Sequence, residues 1–421
     1  MLSQITRQFV RSLPKSSVLA ATQRMAFSAV EVKPLNVLVA DKFSEAGMAE
    51  LKKQGMNLHY DANLNGDSLI EALNEHKPEV LVVRSTKVPA QAVDAASPNL
   101  SLVLRAGAGY DTIDWQYCST RSVYVANCAG MNSHAVAELA MGLMLSVDRR
   151  IPDGNALLKQ GIWKKGEFAK CRGIKGRNFG IIGFGNIGQL VANRANGFEM
   201  NVLVDNMFPE AGLDKEMNFE YMPRDELLAE SDFLTLHVPS VAATKGMINK
   251  DFLNKMKPDA VLLNTSRGAV MNEADILEHL EANPNFWLGT DVFPTEPAGG
   301  KAVPFESPLS KHPRVVGTHH IGASTMQSEA AIGDEAVRIL KNFAKTGSVD
   351  KASCVNMARK GDEQTFKVSI RHLDKEGVLA FCFSTFYKFG WNVCELENVV
   401  FDKRQACATN IIFKGEPNGT A

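Results

Sequence analysis

The chain has 421 residues, enough for two or three domains, each with a hydrophobic core of its own. Its 46 Lys and Arg residues nearly balance 47 Asp and Glu residues, so the formal net charge of −1 lacks the positive excess that drives non-specific nucleic acid binding. No apolar run approaches the roughly 18 residues of a membrane-spanning helix, and the seven scattered cysteines contain no CxxC pair, so neither a membrane span nor a metal site is predicted.

The first thirty residues have the composition of an organelle-targeting presequence. They contain five serines and no Asp or Glu, and the first acidic residue is Glu31. Their basic residues are Arg7, Arg11, Lys15 and Arg24. This composition predicts mitochondrial targeting by residues 1–30. The alternatives are an unprocessed disordered extension or translation from Met25, either of which would leave the protein in the cytoplasm.

Short apolar runs alternate with helical segments from Leu35 onward. These runs cover residues 36–40, 80–83, 102–104 and 123–125. Continuous apolar strands that alternate with helices indicate a parallel sheet covered on both faces. A long helical pattern then spans residues 133–149, with Ser133 as its expected N-cap. We expect its apolar residues to pack either against a second subunit or in the core of this chain.

A second α/β series begins at Phe179. Its expected strands are residues 179–182, 202–204, 233–236, 261–263, 287–289 and 315–317. The first of them leads straight into Gly183-Phe184-Gly185-Asn186-Ile187-Gly188, which is followed by a helical segment at residues 189–195. This GxGxxG pattern therefore lies between a strand and a helix, the context that dinucleotide binding requires.

Each glycine of this motif has its own expected task. Gly183 permits a tight turn, Gly185 lets the backbone approach a pyrophosphate, and Gly188 lets the helix pack closely on the strand. The amides at the helix N-terminus then provide donors to the anion.

An acidic residue, Asp205, ends the next expected strand. Its carboxylate can accept hydrogen bonds from both hydroxyls of an adenosine ribose. A 2′-phosphate would meet this negative charge, and the neighbouring Asn206 and Met207 provide no cation. The sequence therefore predicts NAD rather than NADP as the cofactor.

The last three expected strands each lead into a polar residue suited to catalysis. These residues are Arg267, Glu296 and His320, and the carboxyl ends of parallel strands meet at the edge of the sheet where ligands bind. Hydride transfer from a hydroxy acid needs a cation, an acid/base for the hydroxyl proton and a group that tunes this acid/base. We expect Arg267 to hold the carboxylate and keto oxygen and His320 to exchange the proton. Glu296 would orient the imidazole and raise its pKa.

These motifs together resemble the D-isomer-specific 2-hydroxyacid dehydrogenases. The resemblance rests on the GxGxxG motif, on Asp205 and on residues 264–268, 291–296 and 320–325, and it covers about residues 35–356. It implies an α/β fold of two lobes with parallel sheets, and an NAD-dependent oxidoreductase that carries the catalytic roles given above.

The resemblance also implies how the chain is divided. Residues 35–129 and 318–350 would form a substrate-binding lobe, and residues 130–317 a Rossmann-type NAD-binding lobe. Beyond the glycines and Asp205, cofactor contacts are implied for Ala108, Asn186, Ile187, Val238, Thr265, Asp291 and Gly322. We expect closure of the lobes during catalysis and assembly as a homodimer or homotetramer.

Two loops imply the class of substrate. Residues 84–88 and 105–111 resemble the loops of family members that act on a phosphorylated 2-hydroxy acid, with substrate contacts from Arg84, Ser85 and Gly107. The phosphate needs cations beyond Arg267, and the sequence does not say which of the candidates converge. The candidates are Arg84, Lys87, Arg105, Arg149, Arg150, Lys164 and Lys165.

Two alternatives to this function remain open. The chain could act on an unphosphorylated acid, as a hydroxypyruvate or glyoxylate reductase or a 2-hydroxyglutarate dehydrogenase does, or it could be a dinucleotide-sensing binding protein. One departure from the family concerns the catalytic histidine, because His319 stands where the family usually has Pro. His320 keeps the family spacing to Gly322, so we assign the role to His320, with His319 as the alternative.

The C-terminal segment follows a linker expected at residues 346–364. Residues 364–421 read as a strand, a helix at 378–388 and two strands around a turn at 402–404, which resembles the start of an ACT regulatory domain. The expectation is a small, truncated α+β domain whose open sheet edge pairs with another subunit or which is poorly ordered. Asp374 and Gly377 occupy the loop where related domains bind small amino acids, although a purely structural role is the alternative.

Overall fold

The computed structural model describes residues 34–297, 302–357, 365–401 and 405–415. The described chain divides into two compact units, the first ending at Val355 and the second beginning at Asn356. The expected presequence, residues 1–30, lies outside the described residues, so mitochondrial targeting stays a prediction. Within the described ranges, no helix is long and apolar enough to cross a membrane. The same ranges contain no cluster of three His, Cys, Asp or Glu side chains suited to a metal ion.

A five-stranded parallel sheet forms the first lobe of the first unit, in the order β2-β1-β3-β4-β5. Its strands are β1 (Asn36–Val39), β2 (Asn57–Tyr60), β3 (Val80–Val83), β4 (Leu102–Arg105) and β5 (Tyr124–Asn127). The helices between them are α1 (Glu45–Lys53), α2 (Gly66–His76), α3 (Ala90–Ala95) and α4 (Trp115–Thr120). Alternate strand residues enter separate cores, Val82 in one and Leu81 in the other, so both faces are buried as predicted.

The second lobe contains a seven-stranded parallel sheet in the order β12-β11-β10-β9-β6-β7-β8. Its strands are β6 (Asn178–Ile182), β7 (Asn201–Asp205), β8 (Glu220–Tyr221), β9 (Phe233–Leu236), β10 (Val261–Asn264), β11 (Trp287–Thr290) and β12 (Val315–Gly317). The strand order reverses at β6, which lies between β7 and β9. A crevice therefore opens at the carboxyl ends of these strands, as in the Rossmann fold. This architecture confirms the predicted fold class.

Helices cover both faces of the second sheet. They are α5 (Ser133–Arg149), α6 (Ile151–Lys159), α7 (Lys165–Phe168), α8 (Asn186–Gly197), α9 (Leu213–Met217), α10 (Arg224–Glu230), α11 (Lys250–Leu253), α12 (Glu273–Ala282) and α13 (Pro308–Lys311). Helix α5 shares a core with Phe179 and Leu263, so its apolar side lies in the chain's own interior. Ser133 is the first helical residue and is buried, and Asn132 takes the cap position. The prediction of Ser133 as N-cap is therefore wrong.

The chain returns to the first lobe after β12. Helix α14 (Met326–Thr346) packs there, and Leu340 shares a core with strand residues of the first sheet. The part of the chain that belongs to the first lobe extends beyond residue 350, the boundary expected from the sequence. The amide of Val355 donates to the carbonyl of Val125 at 2.8 Å, and Val349 is buried in the same core as Leu340. Residues 349–355 thus belong to the first lobe rather than to a linker.

The second unit is a small antiparallel sheet with one helix. Strands β13 (Thr365–Leu373), β14 (Val393–Val400) and β15 (Ala406–Lys414) pair in the order β13-β15-β14, and α15 (Val378–Lys388) packs on one face. Its core contains Phe386, Ile411 and Phe413. The predicted strand, helix and two strands are all present. Residues 402–404 of the predicted turn lie outside the described residues, and the ACT assignment stays a prediction.

Candidate active site

The glycine motif forms a tight turn between β6 and α8. Gly183 has φ of +91°, and a Cβ atom on it would lie 2.5 Å from the carbonyl oxygen of His237. A Cβ on Gly188 would lie 2.3 Å from the carbonyl oxygen of Gly183, so the helix can approach the strand only without a side chain there. Gly185 faces open space, and Asn186 and Ile187 begin α8 behind it. This arrangement leaves room and backbone donors for a pyrophosphate.

Asp205 ends β7 beside this turn. Its carbonyl accepts a hydrogen bond from the amide of Gly183 at 3.0 Å. Its carboxylate is not alone, because Nε of Arg224 donates to Oδ2 of Asp205 at 2.6 Å. The sequence neighbours Asn206 and Met207 provide no cation, as expected, but Arg224, which the sequence did not indicate, does. Arg224 is 19 residues away in sequence, and the pairing of β8 with β7 brings it close.

Two buried polar atoms near the carboxyl ends of β9 and β10 have no hydrogen-bond partner in the described chain. They are Nδ1 of His237, which precedes Val238, and Oγ1 of Thr265. Burial holds the pKa of His237 well below its usual range, so the imidazole is neutral. Unsatisfied buried polar atoms are costly and call for an explanation. Atoms of a bound dinucleotide would satisfy them, so the residues present fit the expected cofactor.

His320 and Glu296 form the hydrogen bond expected from the sequence. Nδ1 of His320 lies 2.6 Å from Oε2 of Glu296, and Oε1 of Glu296 accepts from the amide of Phe293 at 2.7 Å. The hydrogen bond with Glu296 raises the pKa of His320, against the opposing effect of burial. Burial would raise the pKa of Glu296, but the bonds from His320 and Phe293 outweigh it and lower this pKa. Nε2 of His320 is then the nitrogen that can exchange a proton with a substrate.

Its neighbour His319 has no such arrangement. Both side chains are exposed, but among the described residues His319 forms no ion pair with a carboxylate. Of the two histidines, only His320 carries the carboxylate partner that an acid/base requires.

Arg267 connects the two lobes. It follows β10, where the side-chain amide of Asn264 donates to the carbonyl of Arg267 at 3.0 Å and shapes the turn. Its Nε donates to Oδ2 of Asp111 at 2.7 Å, across from the second lobe to a loop of the first. A Cβ on Gly109 would meet the end of the Arg267 side chain, so the guanidinium lies directly against this glycine.

Asp291 holds the backbone around His320. This buried carboxylate accepts from Oγ1 of Thr318 at 2.6 Å and from the amides of Ile321 and Gly322 at 2.8 Å each. The amide of His320 donates to the carbonyl of Asp291 at 2.8 Å. Asp291 therefore has a structural role that the sequence did not reveal. Direct contacts of Asp291 and Gly322 with the cofactor stay predictions.

The loop after β3 is fixed by Asp41, which the sequence analysis did not single out. The carboxylate of Asp41 accepts from the amides of Arg84, Ser85 and Thr86 at 2.7, 2.9 and 2.8 Å. The hydroxyl of Ser85 also donates to Asp41, at 3.0 Å, so its expected substrate contact would share this bond. NH1 of Arg84 pairs with Glu329 of α14 at 3.2 Å.

Arg105 ends β4 beside the second expected substrate loop. Its guanidinium lies over Gly107, where φ is +148° and a Cβ would clash with NH1 of Arg105. Burial, followed by the positive charges of Arg267 and Arg84, lowers the pKa of Arg105 to about 10. Its Nε is buried and has no acceptor in the described chain. The guanidinium groups of Arg84 and Arg267 are thus close enough to Arg105 for their positive charges to act on it.

Other candidate cations lie elsewhere. Arg150 stacks over the ring of Trp287, the first residue of β11, and so lies at the amino end of the sheet, opposite the crevice. Glu167 pairs with Arg150 at 3.2 Å and with Lys164 at 3.4 Å. Ala108 lies in the Arg105 loop, and its carbonyl accepts a hydrogen bond from the side chain of Asn127.

Comparisons with known proteins agree with this geometry. Residues 141–322 match the family model described as D-isomer specific 2-hydroxyacid dehydrogenase, NAD binding domain. A hydroxypyruvate reductase of Thermotoga maritima is 38% identical over 286 residues, which cover 68% of this chain and 90% of that protein. A D-3-phosphoglycerate dehydrogenase of Archaeoglobus fulgidus is 34% identical over 312 residues, covering 74% of this chain but only 58% of that protein.

A solved structure extends the comparison to the fold. The NAD+-bound 3-phosphoglycerate dehydrogenase of Entamoeba histolytica superposes with a TM-score of 0.63 at 25% identity, covering 76% of this chain and 98% of that one. The two lobes, the glycine turn at the switch in strand order and the extent of these matches lead to one conclusion. This chain belongs to the D-isomer specific 2-hydroxyacid dehydrogenase family and contains its NAD-binding domain.

Proposed function

We propose that this protein is an NAD-dependent dehydrogenase that oxidises D-3-phosphoglycerate to 3-phosphohydroxypyruvate, the first step of serine biosynthesis by the phosphorylated route. The observation that supports the choice of substrate is the half-buried side chain of Arg105, whose buried Nε has no acceptor among the described residues. A buried cationic group without a partner is unfavourable, and a guanidinium binds a phosphate strongly through charge-assisted hydrogen bonds.

The proposed roles follow from the contacts of each side chain. Arg267 holds the substrate carboxylate and polarises the oxygen that becomes the ketone. His320 accepts the hydroxyl proton at Nε2, while Glu296 stabilises the resulting imidazolium through its bond to Nδ1. NAD, when bound, supplies the acceptor for the hydride.

The arginine cluster supports a substrate with two anionic groups. Arg267 and Arg84 already have acidic partners in Asp111 and Glu329, whereas no described residue provides an acceptor for the buried Nε of Arg105. Glycerate carries only a carboxylate, which Arg267 would bind, so the guanidinium of Arg105 would remain without an anion. A phosphorylated hydroxy acid provides a carboxylate for Arg267 and a phosphate for Arg105, with Arg84 beside it.

The deciding assay compares substrates directly. NADH formation should be followed at alkaline pH, with a trap for the keto product, using D-3-phosphoglycerate, D-glycerate and D-2-hydroxyglutarate. We expect kcat/KM to be highest for the phosphorylated acid. Activity with the unphosphorylated acids alone would reject the proposed substrate and leave the family assignment intact.

An Arg105→Met variant tests the phosphate contact itself. Removal of a charge-assisted hydrogen bond should lower kcat/KM for D-3-phosphoglycerate by about 10- to 100-fold, with a much smaller effect on D-glycerate. Arg121→Met is the matched control, because Arg121 belongs to the same lobe but pairs with Asp94. Equal losses for both substrates would show that Arg105 does not recognise the phosphate.

A second candidate is reduction of hydroxypyruvate or glyoxylate. The 90% coverage of the Thermotoga maritima hydroxypyruvate reductase favours it, since that protein matches this chain over nearly its whole length. NADH consumption with hydroxypyruvate and glyoxylate distinguishes the two, because a reductase would prefer them to 3-phosphohydroxypyruvate. No turnover with any of these acids, together with tight NADH binding, would instead support the dinucleotide-sensing alternative.

A further inference from the structure

Arg224 occupies the position from which a side chain can sense the adenosine ribose of a dinucleotide. It is the first residue of α10 and follows the end of β8 by three positions, and β8 pairs with β7 through Tyr221 and Val204. The amide of Met222 donates to the carbonyl of Val204 at 2.9 Å, which extends this pairing toward Arg224. The strand pairing thus places Arg224 beside Asp205 at the carboxyl end of β7.

Within the described chain, the ion pair between Arg224 and Asp205 engages only one nitrogen and one carboxylate oxygen. Nε of Arg224 donates to Oδ2 of Asp205 at 2.6 Å. Across the described residues, the terminal nitrogens of Arg224 and Oδ1 of Asp205 have no hydrogen bond to the protein. Asp205 is mostly buried, with a side chain 17% exposed, whereas Arg224 is 47% exposed. The solvent around Arg224 weakens this ion pair, so the pair contributes little to stability and its importance lies in its position.

We propose that Arg224 sets how strictly the protein discriminates between NAD and NADP. Asp205 alone would reject a ribose 2′-phosphate by charge repulsion. Arg224 neutralises this carboxylate and presents two free nitrogens, and a guanidinium is the side chain best suited to bind a phosphate. Oδ1 of Asp205 accepts a ribose hydroxyl of NAD, whereas the terminal nitrogens of Arg224 hold the 2′-phosphate of NADP.

Nearby polar groups do not compete for this role. The hydroxyl of Tyr221 accepts from the amide of Glu210 at 3.1 Å, and the side-chain amide of Asn206 donates to the carbonyl of Phe208 at 2.9 Å. Lys255 pairs with Asp225 at 2.7 Å, one residue after Arg224, and so provides a matched cation that is directed elsewhere.

The test measures cofactor binding without any substrate, so its result is independent of the proposed reaction. Dissociation constants for NADH and NADPH should be determined by fluorescence for the wild type, Asp205→Asn, Arg224→Gln, the double variant and Lys255→Gln. We expect Asp205→Asn to raise NADPH affinity by about tenfold or more, and the double variant to lose that gain. Arg224→Gln should change NADH affinity less than about threefold, and Lys255→Gln should change neither cofactor's affinity.

Three results would overturn the proposal. Asp205→Asn and the double variant could bind NADPH equally well, which would show that Arg224 does not contact the phosphate. Arg224→Gln could weaken NADH and NADPH by the same factor, which would make it only a support for Asp205. Lys255→Gln could reduce NADPH binding as strongly as Arg224→Gln. This would show that the loss of any positive charge weakens NADPH binding through the electrostatic potential of the protein, without a direct contact from Arg224.

Discussion

His320 combines an unusual backbone conformation with a charged hydrogen bond. Its φ of +53° lies in the left-handed region, which costs a residue other than glycine roughly 1–2 kcal/mol. The surrounding bonds hold it there, since its amide donates to Asp291 and its ring bonds to Glu296. Such strain often lies at functional sites, where it fixes the direction of a side chain.

A Glu296→Gln variant should shift the pH dependence of oxidation. Oxidation needs the neutral imidazole, so kcat/KM rises with pH through the pKa of His320, which the Glu296 hydrogen bond raises above its usual value. Removing the carboxylate destabilises the imidazolium and lowers this pKa, so the acid limb of the profile should move to lower pH. The plateau rate should also fall by about 100-fold, because the ring loses its orienting partner. Profiles of kcat/KM between pH 6 and 10 measure both effects.

The adjacent histidine provides the control. His319→Asn should leave the profile and the rate unchanged, whereas His320→Asn should abolish turnover and retain NADH binding. A near-native kcat in His320→Asn would transfer the acid/base role to His319.

Individual site residues differ in how far the sequence reveals them. Arg267, Glu296 and His320 follow strands of one parallel sheet, so the rule for strand ends is enough to group them. Asp41 and Arg224 could not be found in this way. Asp41 is 43 residues from Arg84, and Arg224 reaches Asp205 only through the pairing of β8, so neither has a local signal.

At the scale of elements, the segment after β12 depends on one buried side chain. Both carboxylate oxygens of Asp291 accept hydrogen bonds, from Thr318, Ile321 and Gly322. The segment contains no helix or strand between β12 and α14, so these bonds replace the regular backbone pairing that would otherwise hold it. Asp291 is thus a positioning residue for His320.

An Asp291→Asn variant should destabilise this segment. An amide nitrogen cannot accept from a backbone amide, so at least one buried bond is lost, and the free energy of unfolding should fall by about 1–3 kcal/mol. The kcat should fall, and the acid limb should move to lower pH by less than in Glu296→Gln, because the charge of Asp291 helps to raise the pKa of His320 but contributes less than the bond to Glu296. Urea denaturation and a pH profile measure these effects. Thr318→Val removes a single bond and should cause a smaller loss; a wild-type stability for Asp291→Asn would contradict the positioning role.

The strength of the apolar pattern decided which elements could be predicted. Strands β3 and β9 match their predicted residues, because fully buried apolar runs of this length fit a sheet that is covered on both faces. Strand β12 also matches its predicted residues, although it is partly exposed at the edge of the second sheet. Strand β2 was missed because Asn57 to Tyr60 contain a single aliphatic residue, Leu58, and are partly exposed at the edge of the first sheet. Strand β8 has two residues and no apolar run at all.

At the scale of the whole molecule, the boundary of the first unit lies later than the sequence suggested. Composition changes near residue 346, where Gly, Ser, Asp and Lys accumulate, and a linker is the natural interpretation. Yet Val349 is 4% exposed, and Val355 pairs with Val125. A short segment can belong to a core through a few contacts that composition does not show.

Two shortened chains test this boundary. A chain that ends at Met357 should unfold at a higher temperature than one that ends at Thr346, because only the first keeps Val349 in the core. Burial of one valine side chain is worth about 1.5–3 kcal/mol, which corresponds to at least about 2–4 °C in Tm. Thermal unfolding followed by circular dichroism gives the comparison, and equal Tm values would place residues 347–357 outside the folded unit.

The bond between Arg267 and Asp111 means that a substrate must compete with a carboxylate of the protein for Arg267. In the proposed reaction, a carboxylate arriving from solvent finds its guanidinium already bonded to a carboxylate of the protein. Binding is then an exchange of one anion for another at Arg267 rather than the filling of an empty cationic site. Asp111 belongs to the first lobe and Arg267 to the second, so each turnover would break and remake a link between the lobes.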